Sequence, residues 1–381
     1  MTKMYLLALL FAFGLFASQT TIAQTTQASI SGKITDNEKK PQAGATVSVR
    51  NESTGFNTKT ITNAQGEFTF KELPLGGPYT VNVTFSGFGE QKRTGYRLNQ
   101  GDAVRVDIDM QVAASDLAVV EVVGSGLKNK IENIGAATAV SARTMTQLPI
   151  NGRNFANLTD LSPLSRGGNL SGQLGSSTNY TIDGMNAKNP TSAGATTSRS
   201  GAPYSISIEA VREFKVVTNQ YDVTYGRSGG GTVSAVTKSG TNNFTGAVFG
   251  YGRANELASR YDIRGNRRVN NYSTYQYGFA LGGPIVKDKV SFLVAGRSSY
   301  STWIFKKLPD ASLRDDQASF YDGTVKLSAR LSDKSKVILS GYRSHDSFQF
   351  SADTVYSWNT TNASLTFNNI FSDKLILNAT A

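Results

Sequence analysis

The sequence predicts a mainly β protein that combines a small β-sandwich, a mixed α/β segment and the first strands of an incomplete antiparallel β-barrel of the outer-membrane type. From Phe244 onward, strand-like runs alternate with two kinds of connection, short turns that carry an Asp-Lys pair and long polar loops. Short turns at one end and long loops at the other are typical of outer-membrane barrels. Before Val112, short β-rich runs punctuated by Gly, Pro and Asn predict the sandwich.

The first 23 residues predict an export signal. Lys3 is followed by an apolar run from Tyr5 to Ala17, and Thr21-Ile22-Ala23 fits a small-x-small cleavage site, so we expect the mature chain to begin at Gln24. The apolar run is too short to span a bilayer, and no other stretch is longer. The sequence therefore predicts no transmembrane helix, which leaves a closed barrel as the means of crossing a membrane.

Composition narrows the function classes. The formal net charge of +11 fits either many solvated Lys and Arg side chains or attraction to an anionic surface or ligand. The basic residues are dispersed, so no nucleic-acid partner is expected. The segment Gly226–Gly230 matches the G-x-S-x-G pattern of hydrolases, but a β-prone run follows it and the sole histidine, His345, lies in a predicted strand. With no cysteine either, we predict no enzyme activity, no catalytic residue, no cofactor and no metal site.

Residues 24–112 are predicted to form the β-sandwich. In the run Ala103 to Met110, apolar residues alternate with charged ones, which is typical of a half-buried strand. The predicted strands are Ala28 to Thr35, Ala45 to Asn51, Asn57 to Thr62, Glu67 to Leu73, Tyr79 to Phe85 and Ala103 to Met110.

Residues 113–125 are predicted to form a linker that contains a strand-prone strip. The strip consists of Val119, Val120, Glu121, Val122 and Val123. A valine-rich run just outside a folded domain suits strand addition to the sheet edge of a partner protein. The alternative is an ordinary buried strand, and the residues alone leave both interpretations open.

Residues 126–240 are predicted to be mixed. The runs Val140 to Leu148 (with Ser141 as N-cap) and Arg153 to Leu161 favour short helices. The stretch from Ser165 to Pro203 is rich in Gly, Ser, Thr and Asn, and its Asp183-Gly184 pair predicts a turn. Together with the basic loop between Gly252 and Thr274, it is the candidate ligand-facing surface, although an ordinary solvated loop would look the same. The candidate residues are Asn169, Asn179, Tyr180, Asn186, Arg264, Arg267 and Arg268.

Residues 241–381 are predicted to supply about seven barrel strands. In Tyr275 to Leu281 and in Tyr321 to Leu331, apolar and polar residues alternate with period two, so we expect the apolar side to face lipid and the polar side the lumen. Plugged outer-membrane barrels of this kind have about 22 strands, so the sequence is expected to be an N-terminal fragment. The predicted strands are 244–251, 273–282, 289–301, 319–331, 336–346, 356–371 and 374–381.

Several motifs resemble a known family. The segments Gly32 to Asp36 and Thr62 to Phe68 resemble the carboxypeptidase regulatory-like domain, an accessory module without peptidase chemistry. In the next segment, four motifs occur in the order that resembles the plug of TonB-dependent receptors, most closely the Oar-like branch. They are Leu148-Pro149-Ile150-Asn151-Gly152-Arg153-Asn154-Phe155, Tyr180-Thr181-Ile182-Asp183-Gly184, Tyr225-Gly226-Arg227-Ser228-Gly229-Gly230-Gly231 and Val236-Thr237-Lys238-Ser239-Gly240-Thr241-Asn242.

The resemblance implies energy-coupled import of an unidentified ligand across the bacterial outer membrane. The sandwich would lie in the periplasm, the plug would occupy residues 126–240, and Val119 to Val123 would be the TonB box that binds the TonB energy-transducing complex. The other expected partners are outer-membrane lipid and a ligand such as an iron chelate, glycan or peptide. The resemblance leaves open whether a surface lipoprotein takes part. The alternative is an adhesin or surface scaffold on the same architecture, without import.

Overall fold

We describe the fold from a computed structural model of the chain. The structure describes residues 28–112, 120–123, 127–128, 136–141, 144–145, 155–166, 169–173, 177–186, 206–218, 228–253, 274–300, 317–349, 355–372 and 375–381. The predicted export signal, most of the predicted linker and the three long polar connections lie outside these ranges. Within them the fold is mainly β, and no helix is both long and apolar enough to cross a membrane.

Two sheets form a β-sandwich at the N-terminal end of the described chain. One sheet has the order β10-β7-β1-β4 with β8 beside β1, and the other has the order β3-β2-β5-β6-β9. Their inner faces share one hydrophobic core that includes Ile30, Val47, Leu73 and Tyr79. The strands are β1 Ala28–Thr35, β2 Thr46–Asn51, β3 Asn57–Ile61, β4 Glu67–Leu73, β5 Gly76–Thr84, β6 Gln91–Leu98, β7 Ala103–Arg105, β8 Ile108–Asp109, β9 Val120–Val123 and β10 Leu127–Lys128.

Five of the predicted sandwich strands are confirmed, and the sixth is divided. The prediction of one strand from Ala103 to Met110 was wrong, because between the β7 and β8 pairings with β1 the backbone N–H of Lys33 bonds to the side-chain Oδ1 of Asp107 instead of a backbone carbonyl. Strand β6 was not predicted from the sequence. That strand carries Lys92, Arg93 and Arg97 and a glycine with positive φ, Gly95, all unusual in a central strand.

The middle of the chain builds a separate five-stranded sheet with the order β11-β16-β17-β14-β15. The pair β14 and β17 is parallel and the other pairs are antiparallel. Strands β16 and β17 are buried along almost their whole length, so this sheet lies inside the molecule. The strands are β11 Ala136–Ser141, β12 Ser165–Arg166, β13 Asn169–Leu170, β14 Thr178–Ile182, β15 Met185–Asn186, β16 Val211–Thr218 and β17 Gly231–Thr237; β12 and β13 form a hairpin of their own.

The predicted helices of this segment need correction. Val140 belongs to strand β11, because β11 pairs with β16 up to Ser141. The N-cap role of Ser141 is supported, since its hydroxyl accepts a hydrogen bond from the backbone N–H of Thr144 at 3.3 Å and Thr144 is helical. The second predicted helix is a 3-10 helix, Phe155–Leu161. The rest of both predicted helices lies outside the described residues.

The C-terminal part is one antiparallel sheet in which each strand pairs with the next along the chain. The described ladder has seven strands, as predicted, and their bounds agree with the predicted ones within about four residues. The strands are β18 Thr245–Arg253, β19 Thr274–Val286, β20 Val290–Tyr300, β21 Gln317–Arg330, β22 Ser335–Gln349, β23 Val355–Ser372 and β24 Leu375–Thr380.

The two faces of the seven-stranded sheet are inverted relative to a soluble protein. On β19, Tyr277 is 58% exposed while the neighbouring Gln276 is 8% exposed. On β21, Val325 is exposed, whereas Asp322, Thr324, Lys326 and Ser328 are all buried. The predicted alternation of apolar and polar faces is thus confirmed, and an apolar outer face of this size marks a membrane or protein contact. The division of the chain into segments 24–112, 113–125, 126–240 and 241–381 stays a prediction.

Candidate functional site at the junction of three sheets

The turn between β14 and β15 places a carboxylate at the end of the middle sheet. Asp183 and Gly184 both have positive φ values, 51° and 82°, as a type I′ hairpin turn requires, so the predicted turn is confirmed. The Asp183 carboxylate accepts hydrogen bonds from the backbone N–H of Thr237 at 2.9 Å and from its hydroxyl at 2.6 Å. The turn is therefore tied to the end of β17.

A lysine of the seven-stranded sheet binds this same carboxylate. The Nζ atom of Lys326, on β21, lies 3.1 Å from Oδ1 of Asp183 and 3.0 Å from the hydroxyl of Thr237. The two charged side chains are only 7% and 11% exposed. Because an unpaired charge at such a site is costly, the pair links the middle sheet to the inner face of the seven-stranded sheet.

A second buried ion pair lies nearby on the same inner face. The guanidinium of Arg297, on β20, donates from Nε and Nη2 to Oδ2 of Asp322, both at 2.8 Å, and both side chains are 1% exposed. The backbone N–H of Ser207, which precedes β16, also donates to Asp322. The inner face of the seven-stranded sheet thus offers charged groups to the middle sheet at two places.

Strand β16 of the middle sheet connects to the sandwich through three charged side chains. Arg212 donates to the carbonyl oxygen of Leu75. The backbone N–H of Gln100 donates to Oε2 of Glu213 at 2.8 Å, and Nζ of Lys215 donates to the Gln100 carbonyl at 3.4 Å. These contacts attach the sandwich to the middle sheet by polar bonds, a chemistry that allows separation more readily than a continuous apolar core.

Burial perturbs two of these groups. Loss of water around Glu213 raises the pKa of its carboxyl above the ordinary value of 4.5, and the Gln100 hydrogen bond opposes that rise. Burial lowers the pKa of the Arg212 guanidinium, although the neighbouring Glu213 acts in the opposite direction. The sandwich contact is therefore sensitive to charge.

The sandwich also contacts the short turns of the seven-stranded sheet. The backbone N–H of Asn242, just before β18, donates to the Ser53 carbonyl at 2.8 Å. Asn242 exchanges two hydrogen bonds with Asp288, in the turn between β19 and β20. Arg330, at the end of β21, donates to the Gly55 carbonyl at 2.9 Å. All these contacts are at the end of the sheet opposite the strand ends Arg253, Thr274 and Tyr300, so the sandwich lies at the short-turn end.

A cavity of about 180 Å³ opens where the three sheets meet. Its walls include Phe56 and Glu72 from the sandwich, Asp183 from the middle sheet, and Lys326 and Ser340 from the seven-stranded sheet. Charged and hydroxyl groups share this lining with apolar side chains such as Leu75 and Ile338, so the cavity is of mixed character.

The predicted ligand-facing residues do not form one cluster in the part of the chain that the structure describes. Asn179 and Tyr180 are buried within β14, 3% and 0% exposed, so they do not face an open surface in this structure. Asn169 is exposed on β13, and Asn186 lies on β15. Arg264, Arg267 and Arg268 lie outside the described residues. Their role as ligand contacts stays a prediction.

Four residues of the predicted TonB box form β9, which pairs in parallel with β6 of the sandwich. Val119 lies outside the described residues. The residues alone left open whether the strip adds to a partner's sheet or is an ordinary strand, and in the structure its last four residues lie in a ladder of this chain. Binding to TonB stays a prediction.

The hydrolase-like pattern has a structural explanation. The Ser228 hydroxyl accepts a bond from the backbone N–H of Gly231 at 2.8 Å and donates to the carbonyl of the same residue at 2.5 Å, so it closes the turn that leads into β17. His345, on β22, contacts Asn359 and stacks on Tyr321. Within the described ranges, no group of three or more His, Asp or Glu side chains could hold a metal ion.

Comparison with known proteins identifies relatives. Residues 29–111 match the carboxypeptidase regulatory-like domain, and residues 236–322 match an outer membrane beta barrel domain. Over 329 residues the chain is 26% identical to the TonB-dependent transporter Oar of Myxococcus xanthus, an alignment that covers 81% of this chain and 30% of the relative. The chain thus spans less than a third of the length of that relative.

Two solved structures show partial likeness. The siderophore receptor PirA of Pseudomonas aeruginosa has a TM-score of 0.48 at 17% identity, with 62% of this chain and 38% of the receptor covered. The outer membrane transporter YddB of Escherichia coli has a TM-score of 0.48 at 14% identity, with 62% and 37% covered.

Proposed function

We propose that this chain, a homologue of the TonB-dependent receptors of the outer membrane, forms the N-terminal part of a transporter that imports an unidentified ligand with energy from TonB. The sequence relationship to a TonB-dependent transporter and the outer-membrane barrel domain support an outer-membrane transporter. Coupling to TonB and the nature of the ligand are inferred from that relationship and from the arrangement of the three sheets.

In this proposal the middle sheet acts as a plug inside the wall formed by β18 to β24. The observation that carries the proposal is the Asp183–Lys326 ion pair, which joins the turn of the middle sheet to the polar inner face of the wall. The inverted faces of the wall support its contact with lipid on the outside. Polar contacts between plug and wall favour a plug that moves. Once water enters, hydrogen bonds between plug and wall can be replaced by hydrogen bonds to water.

The sandwich is proposed to lie in the periplasm. It contacts Arg330 beside a short turn and Asn242 just before β18, at the end of the sheet that faces the periplasm in outer-membrane barrels, and it precedes the plug in the chain. Residues 120–123 then lie on the side from which TonB acts. The alternative of an adhesin needs no coupling to TonB, and the relationship to a transporter favours import.

The test is binding of the purified full-length receptor to the C-terminal domain of TonB from the same bacterium. Val122→Pro removes a backbone donor from the strip, so we expect it to abolish binding, because strand addition depends on main-chain hydrogen bonds. Ala114→Pro lies in the same linker outside the strip and is the matched control, with binding expected to be unchanged. Equal binding by both variants would refute a role for the strip.

A further inference from the structure

The sandwich holds the strip as the fifth strand of one of its sheets. Strand β9 pairs in parallel with β6, with Gln91 opposite Val120 and Thr94 opposite Val123. Without β9, strand β6 would be the edge of its sheet, with a row of unpaired backbone N–H and C=O groups. Strand β6 is therefore a surface that accepts a strand, and its occupant belongs to the same chain.

The strip is also attached beyond its C-terminal end. The next described residues, Leu127 and Lys128, form β10, which pairs antiparallel with β7 in the other sheet of the sandwich. Before the strip, Val112 forms an isolated bridge with Phe88. The chain from Val112 to Lys128 therefore contacts the sandwich before, within and after the strip, and only seven residues separate β10 from β11 of the middle sheet.

The register of β6 and β9 also places residues of opposite charge at facing positions. Lys92 on β6 is the ladder partner of Glu121, the single charged residue of the strip. Opposite charges at facing positions of a ladder stabilise the pairing, and like charges weaken it. The chemistry of β6 thus favours a strand with an acidic residue at this position.

From these contacts we propose that the sandwich sequesters the strip, so that β6 and the strand of TonB compete for it. The inference rests on the proposed function, because it takes TonB as the competitor. A strand already in a ladder binds a competitor only in those molecules in which it is released. The apparent affinity of the strip for TonB is therefore its intrinsic affinity multiplied by the released fraction. The sandwich then limits when the receptor engages TonB.

A disulfide across the ladder tests the sequestration, and the 381 residues of this chain contribute no cysteine of their own. In the full-length receptor, Thr94→Cys with Val123→Cys places the two sulfurs on ladder partners, whose Cα atoms are about 5 Å apart in a parallel sheet. We expect near-complete cross-linking in isolated outer membranes, detected as loss of maleimide labelling. The control pair, Gln91→Cys with Val123→Cys, is offset by three residues, about 10 Å, and is expected to stay reduced.

Binding of the TonB C-terminal domain to the same cross-linked receptor tests the competition. We expect the oxidised receptor to bind at least about tenfold more weakly than the reduced one, with full recovery after reduction. Cross-linking no greater than in the control pair, or equal binding in the two redox states, would overturn the proposal. Efficient cross-linking without TonB binding by the reduced receptor would instead refute TonB coupling and the competition with it, while attachment of the strip to β6 would stand.

A second variant leaves the strip itself unchanged. Lys92→Glu places a like charge opposite Glu121 and loosens the ladder, so we expect TonB to bind about two- to fivefold more tightly. Lys59→Glu makes the same charge change on β3, the strand at the far edge of that sheet, and is expected to leave binding unchanged. Binding by Lys92→Glu that is no tighter than binding by Lys59→Glu would contradict competition between β6 and TonB.

Discussion

At the scale of single residues, the buried pair of Asp183 and Lys326 joins the middle sheet to the wall. We expect Asp183→Asn to destabilise the folded receptor by about 3–5 kcal/mol, because it leaves the Lys326 ammonium buried without its counter-charge. Urea unfolding of the purified receptor in detergent measures the loss. A double-mutant cycle with Lys326→Met should return a large part of it, since the double variant has no unpaired charge.

The exposed pair of Lys39 and Asp109 is the matched control for that experiment. Its side chains are 72% and 54% exposed, so Lys39→Met should change stability by no more than about 1 kcal/mol. An effect of Asp183→Asn as small as that of the control would contradict the claim that the buried pair secures the middle sheet.

The buried carboxyl of Glu213 predicts a pH dependence. Its pKa is raised by burial, so the folded state binds this proton more tightly than the unfolded state. The stabilising contribution is complete below the ordinary value of 4.5 and is lost as pH rises through the raised pKa of the folded state. Glu213→Gln keeps an acceptor for the Gln100 N–H, so we expect a flatter stability profile above pH 4.5.

Thermal unfolding of the two proteins across this pH range measures the difference. Glu67→Gln is a suitable control, because Glu67 lies on the exposed face of β4. If the unfolding temperature of the Glu213→Gln variant depends on pH in the same way as that of the original protein, a group other than Glu213 sets the pH dependence.

At the scale of elements, strand β20 and the segment after β17 approach too closely for a side chain between them. A Cβ atom at Gly240 would lie 2.3 Å from the carbonyl oxygen of Phe292, a backbone atom that moves little. We expect Gly240→Ala to destabilise the receptor by about 1–3 kcal/mol, as overpacking does elsewhere. Gly250→Ala, in β18, meets nothing within 4 Å and is the control.

The readout for this pair is the temperature at which the purified receptor loses its β-sheet circular dichroism signal. A lower unfolding temperature only for the Gly240 variant is expected. Equal temperatures would mean that the segment between β17 and β18 shifts freely, and that the middle sheet is not fixed against β20.

Local patterns predicted most elements, because strand alternation and turn residues act over a few positions. The strands of the wall follow from period-two alternation, and the turn at Asp183 follows from its Asp-Gly pair. Strand β6 was not predicted because its charged residues and Gly95 have low β propensity. In the structure, pairing with β5 on one side and β9 on the other offsets this low propensity. Val140 and Ser141 belong to β11 because they pair with β16. This pairing is distant in sequence, so the local residue pattern that predicted a helix could not indicate it.

The site was harder to predict because its contacts are distant in sequence. Asp183 and Lys326 are 143 positions apart, and Gln100 and Glu213 are 113 apart. Asp183 lies in one of the four motifs that resemble a known family, so the sequence could have identified it as a candidate site residue. Its partner Lys326 could not be identified in the same way, because the sequence shows it only as one polar residue of an alternating strand. The burial of Tyr180 likewise depends on β14 lying inside the middle sheet.

At the scale of the whole molecule, the two ends of the seven-stranded sheet differ. The sandwich and the short turns lie at one end, and the three long connections leave the wall at the other. In an outer-membrane protein the short turns face the periplasm and the long loops face the outside. Under the proposed function, the sandwich, the proposed TonB box and the contacts of the middle sheet at Arg212 and Lys215 are all predicted to lie on the side of the inner membrane.

Cysteine labelling of intact cells is the most direct measurement of this central claim. Full-length receptors carry either Ser312→Cys, in a long connection, or Ser332→Cys, in the short turn after β21, and a maleimide that does not cross the outer membrane is added. We predict labelling of the Ser312 variant in intact cells and of the Ser332 variant only after the outer membrane is permeabilised. Labelling of the Ser332 variant in intact cells would contradict the orientation, and with it the proposed coupling through a periplasmic sandwich.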